Sequence, residues 1–183
     1  MNSKAKTFIE ANKGLIKFLS LAFLLLFSWV LFSSFYPAAV AKMHYLIIRP
    51  QADVCAYLLK LFDYEIVQQY MVNDCEAMII FPDKGFVCVG SGCSGLELFL
   101  LFFGFIFLMR GRLVDKLWFV PLGVLGILFM NIIRITALSV IHYHHREYLE
   151  FNHKYTFVVI VYGAIFGLWI LWINKFANRS TKS

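Results

Sequence analysis

Charge is what this sequence has least of. Only 15% of its 183 residues are Asp, Glu, Lys or Arg, where a soluble domain carries about a quarter. With 61% hydrophobic and 18% aromatic residues, the chain is an integral membrane protein on composition alone. It has no internal repeat and no low-complexity segment, so it reads as a single membrane domain, 1–183, without a soluble catalytic domain. The metal and redox signatures H-E-x-x-H and paired C-x-x-C are also missing. The net charge of +6 does not point to nucleic acid. Its lysines and arginines cluster at the ends of apolar runs, as topology determinants do, and are not interleaved with aromatics.

What is there is a set of long apolar runs. A hydrocarbon core of about 30 Å needs about 17–25 helical residues, and Leu15–Phe35, Leu117–Ile141 and Tyr155–Ile173 satisfy that. A fourth run, Leu96–Met109, is shorter and stops sharply at Arg110, Gly111 and Arg112, which predicts a short span over about 94–109. The first span has the charged start of a secretory signal and is followed by Ala39-Val40-Ala41, which resembles a cleavage site. Its apolar run of about 20 residues exceeds the 7–15 usual for a signal, so it reads as an uncleaved anchor.

Orientation follows from the cations. With the N-terminus in the cytoplasm, four spans put Lys4, Lys6, Lys13, Lys17, Arg110, Arg112, Lys116, Lys175, Arg179 and Lys182 inside. Lys42, Arg49, Lys60, Lys84, Arg146 and Lys154 are spread over two longer outer loops, in accord with the positive-inside rule. Both termini are then cytoplasmic. The outer loop, about 36–93, has two ordered parts. In "PQADVCAYLLKLFDY", Val54, Tyr57, Leu58, Leu61 and Phe62 recur at helical spacing opposite Asp53, Lys60 and Asp63, the pattern of an amphipathic interfacial helix. "AMIIFPDKGFVCVG" reads as a hairpin around a Pro-Asp-Lys-Gly turn. The expected fold is therefore an all-α integral membrane protein, with four transmembrane helices, an extracytoplasmic amphipathic helix and a small β-hairpin.

Three chemically capable side chains share one depth. At about 1.5 Å per residue, Cys93 stands roughly 26 Å above Arg110, Arg134 roughly 27 Å above Lys116, and His153 roughly 33 Å above Lys175. Arg134, in the otherwise apolar "FMNIIRITAL", must face a partner or a wet cavity unless it snorkels to the surface. Asn131 lies on its face of the helix, and Glu97, one turn below Cys93, is a candidate partner for it. Cys93 sits where a helix N-terminus would favour a thiolate, between Gly92 and Gly95, which would let a substrate backbone come close. The alternative is a structural thiol or a bridge. Cys55, Cys75, Cys88 and Cys93 all fall on the outer side, where disulfides form, and their pairing is open. Cys88-x4-Cys93 is a poor substitute for a redox C-x-x-C pair. His142, His144, His145 and His153 could bind metal or be ordinary interfacial histidines.

"GSGCSGLELF", then "NIIRITAL", then a histidine just before the last span, in that order, resembles the exosortase/archaeosortase family. The resemblance covers about Phe86 to Ile173. It implies a membrane-embedded cysteine transpeptidase or protease, a hydrolase-type enzyme without cofactor or metal, in the bacterial cytoplasmic membrane with an extracytoplasmic active site. Its substrates would be membrane-anchored proteins bearing a C-terminal sorting signal: a short motif, a hydrophobic span and a basic tail. Carried over, Cys93 is the nucleophile, Arg134 the second essential residue, and His153 the third, matched by its place before the final span. His142, His144 and His145 fit less well. The better-known members have about eight spans, so this chain resembles a short variant holding the catalytic core. The lipid bilayer is its environment, the acceptor is unspecified, and no nucleic acid is expected. Two rivals share these residues: a cysteine protease that releases its substrates, and a non-catalytic assembly or export component with bridged cysteines.

Overall fold

A computed structural model describes residues 13–72, 75–109 and 111–177. Among the orienting cations, Lys4, Lys6, Arg110, Arg179 and Lys182 lie outside the described residues. Helix α1, Lys13–Phe35, is apolar on all sides, as a membrane helix is. Tyr36 ends it, and Pro37 opens α2, Pro37–Leu61, because proline at a first helical position has its backbone angle preset and gives up no hydrogen bond. The two helices turn through 105° at this joint. Three antiparallel strands follow, β1 Val67–Val72, β2 Cys75–Phe81 and β3 Gly85–Val89, in the order β1-β2-β3. Next come α3, Leu96–Leu108, α4, Leu113–His144, and α5, a continuous helical segment Arg146–Phe176 with wide π turns at Asn152–Thr156 and from Ile173.

Helices α4 and α5 are each long and apolar enough to cross a membrane, and α1 with α2 passes the same test as one broken span. Helix α3 has 13 residues, about 20 Å, less than a hydrocarbon core. The chain is a mostly helical membrane protein with a small sheet.

Three details differ from the sequence reading. The helix expected to begin near Pro50 begins at Pro37, and Pro50 lies inside it. An interior proline loses one helical hydrogen bond, and the Gln51 side chain donates to the Ile47 carbonyl at 3.0 Å beside it. The hairpin is one half of a three-stranded sheet: β1 pairs with β2 from Val67↔Ile80 to Val72↔Cys75. The last helix begins at Arg146, which puts His153 inside it.

Two apolar cores hold these parts. The first packs α2 (Ile48, Ala52, Cys55, Leu59) and the inward face of the sheet (Ile79, Phe81, Val87, Val89) against Ile135 of α4. The Val54, Tyr57 and Leu61 stripe lies on the opposite, exposed face of α2. The second core joins α3, α4 and α5 through Phe102, Phe105, Phe119, Ile165 and Trp172. Phe105 stacks on Trp169 with centroids 4.2 Å apart. Gly123 of α4 lets the Phe102 ring close on the helix backbone, since a Cβ there would lie 2.2 Å from it.

Candidate active site

Cys93 closes a single 3-10 turn, Ser91–Cys93, between β3 and α3. The N–H groups of Cys93 and Ser94 donate to the carbonyls of Gly90 and Ser91 at 2.8 and 3.0 Å. Gly95 leaves the turn at φ +77°, a left-handed conformation natural to glycine. That conformation is its contribution, while Gly92 stands in open space. Since α3 begins only at Leu96, Cys93 does not rest on helix N-terminal N–H groups. Burial pushes its thiol above the ordinary value, an effect the nearby Arg134 guanidinium partly offsets. Burial thus works against the thiolate expected at this position.

Two helices bring the other groups. Arg134 is buried on α4 and does not snorkel. Its Nη2 lies 3.6 Å from Cys93 Sγ and 3.3 Å from His153 Nε2. His153 Nε2 stands 3.7 Å from the same sulfur. Arginine has only donors to offer, so Nε2 is an acceptor in this arrangement and the ring proton is on Nδ1. Cys93, Arg134 and His153 thus form a closed triangle of side chains from three elements.

The turn carrying Cys93 is held by a buried polar chain. Asn131, one helical turn before Arg134, donates its amide to the Cys93 carbonyl and to Gln51 Oε1, the latter at 2.7 Å. Gln51 in turn donates to the Ser94 carbonyl at 3.3 Å. His44 Nδ1 lies 2.7 Å from Ser94 Oγ, which accepts from the Leu96 N–H at 3.1 Å. His44, Gln51 and Ser94 are 5%, 2% and 0% exposed, so this chain excludes solvent. These three were not legible as site residues: His44 and Gln51 are fifty and forty-three positions from Ser94.

A family model described as transmembrane exosortase matches residues 10–174, which include Cys93, Arg134 and His153. The chain belongs to the transmembrane exosortase family. No curated protein and no solved structure matches it. Membership fits a membrane protein with a transpeptidase-like site.

The remaining candidates fall elsewhere in this family member. Glu97 does not pair with Arg134: its Oε1 lies 3.8 Å from His44 Nε2, at the far end of the polar chain. Arg134 instead directs Nη2 at Cys93 and His153. His142 lies 3.1 Å from the Lys84 carbonyl and stacks on Phe81. His144 is 2.9 Å from the Tyr64 hydroxyl, and His145 is 3.6 Å from Glu147. Cys75 and Cys88 form a disulfide, which ties β2 to β3. Cys55 and Cys93 are free and buried, so two bridges do not form.

Proposed function

We propose that the chain is a cysteine transpeptidase or peptidase that cuts the C-terminal sorting signals of membrane-anchored exported proteins. The observation that carries this reading is the triangle of Cys93, Arg134 and His153, with separations of 3.3–3.7 Å. His153 Nε2 takes the thiol proton as Cys93 Sγ attacks the scissile carbonyl. The N–H groups of Cys93 and Ser94 are engaged within their own turn, which leaves the Arg134 guanidinium to receive the oxyanion. A fixed charge in a buried site acts strongly there. The protonated His153 then gives its proton to the leaving amine as the C–N bond breaks, leaving an acyl thioester on Cys93. An acceptor amine resolves the thioester by transpeptidation and water resolves it by hydrolysis.

In this reading α1, α3, α4 and α5 make four crossings of the bacterial cytoplasmic membrane, with both termini cytoplasmic. Helix α2, the sheet and the thiol are at the outer boundary, where a substrate's motif emerges from its own span. The free Cys93 thiol weighs against a purely structural assembly component with bridged cysteines.

The test is processing of a tail with a short motif, an apolar span and a basic end, in membranes with wild-type protein or Cys93→Ala, Arg134→Ala or His153→Ala at matched expression. Loss of cleavage in all three, with a thioester trapped in wild type, is the expected result. Normal processing by Cys93→Ala would overturn the mechanism.

A further inference from the structure

Beside the triangle runs a groove of about 400 Å³. One wall is β3, which contributes Phe86, Val87, Cys88 and Val89, and the other is the opening of α5, with Arg146, Leu149, Glu150 and His153. Its two ends are fixed by contacts. At one, Arg146 approaches to 3.9 Å from the position a Gly85 Cβ would take. At the other, His153 meets Cys93 at 3.7 Å. From Arg146 to His153 the helical wall is about 10 Å long, and β3 runs alongside it for about 13 Å, four residues of extended chain.

Among the described residues β3 is an edge strand: its partner is β2, and the order stops there. The hairpin turn sets which of its backbone groups face outward. Lys84 N–H donates to the Phe81 carbonyl at 3.1 Å, and Gly85, at φ +93°, pairs with Phe81. A three-residue hairpin loop closed by such a bond makes the residues flanking it, here Phe81 and Gly85, a hydrogen-bonded pair. Alternation along the ladder then gives Val87 and Val89 to β2 and turns the N–H and C=O groups of Phe86 and Cys88 to the open edge. Such a row of backbone donors and acceptors is matched in register only by another extended backbone.

We propose that this groove takes an extended segment of the substrate polypeptide as a fourth strand on β3, paired with the outward backbone groups of Phe86 and Cys88. The inference rests on Cys93 being the nucleophile and adds how its substrate is held. A strand laid from the Gly85 end reaches the Cys93 end, so pairing with β3 carries a peptide carbonyl up to the thiol. The side chains that point inward on the bound segment, every second one, meet Val87, Val89, Ile135, Leu138 and Leu149. They are therefore apolar. Recognition at those positions is by size, and the intervening positions are free to vary.

The test uses alkylation of Cys93 in the full-length, detergent-solubilised protein, followed by mass spectrometry, with two probes. One is acetyl-Val-Thr-Val-Ala chloromethyl ketone and the other is iodoacetamide, each rate being normalised to reaction with free cysteine. The peptide probe is expected to be faster by about tenfold or more, the worth of two backbone hydrogen bonds, and N-methylation of its alternate amides is expected to remove that gain. Phe86→Pro deletes an outward N–H and no ladder bond. It is expected to slow the peptide probe about tenfold and leave iodoacetamide unchanged, while Phe86→Ala, which keeps the N–H, retains the gain. Equal normalised rates for the two probes, or a gain that survives N-methylation, would overturn the strand. Cys93 inert to both probes would overturn the catalytic reading, and the strand with it.

Discussion

Asn131 holds the backbone carbonyl of Cys93 from within the membrane helix that also carries Arg134. The Cys93 turn and the guanidinium are thereby tied to one rigid element, through Asn131 and Arg134, a single helical turn apart. Asn131→Ala leaves the buried carbonyl of Cys93 and Oε1 of Gln51 without their donor, at a cost of about 1–3 kcal/mol. The expected result is a fall in kcat of about tenfold to a hundredfold with KM little changed, because the loss is of alignment. Asn131→Asp is expected to be worse, since it turns acceptors toward acceptors. Steady-state kinetics on a processed substrate would check both, and a pure KM effect would contradict the positioning role.

Arg134 faces two groups at once, the sulfur of Cys93 and Nε2 of His153. Lysine keeps the charge but ends in a compact ammonium on a flexible stem, where Nη2 of a planar guanidinium meets both groups. Arg134→Lys is expected to lose about a hundredfold in kcat and Arg134→Ala about a thousandfold. A lysine variant as fast as wild type would show that charge alone suffices.

Burial raises the Cys93 thiol and Arg134 lowers it, with burial the larger influence. A raised thiol is protonated at neutral pH and gains thiolate as pH climbs. Iodoacetamide labelling of Cys93 should therefore keep rising between about pH 7 and pH 9, across the ordinary thiol value of about 8.5. In Arg134→Ala the lowering influence is gone, and the curve should move to higher pH. A wild-type plateau below about pH 8 would contradict this.

Stability has its own sensitive point, away from the chemistry. A methyl at Gly123 would sit 2.2 Å from the fully buried Phe102 ring, whereas one at Gly126 meets nothing within 4 Å. Gly123→Ala is expected to lower thermal stability by about 1–3 kcal/mol, and Gly126→Ala to leave it unchanged or slightly raised. Thermal unfolding in one detergent compares the pair directly.

The readable parts of the molecule are those where a local pattern carries the physics. Apolar runs of membrane length and an arginine stranded in one of them stand out in a single window, and so does the Pro-Asp-Lys-Gly turn. β1 did not stand out, because "VQQYMV" puts two glutamines mid-strand and is half exposed, pairing only with β2. The first half of α2 was hidden by Pro50, which reads as a helix start, and His44 was hidden with it. His44 and Gln51 carry no motif: they become recognisable only when folding sets them against Ser94. The Glu97–Arg134 expectation failed for a related reason. Depth along a span is countable, but which side of a turn a carboxylate falls on is decided by packing, and Glu97 faces His44.

The 105° joint between α1 and α2 has a mechanical consequence. In the orientation proposed above, with α1 upright, α2 lies nearly flat at the membrane surface, and its inner face grips the turn bearing Cys93 through His44 and Gln51. Upright helices answer a thicker or thinner bilayer by tilting, which changes the height of anything fixed to their ends. On the proposed reading the thiol is instead gauged from the membrane surface, and the spans below can lean without carrying it away from that height.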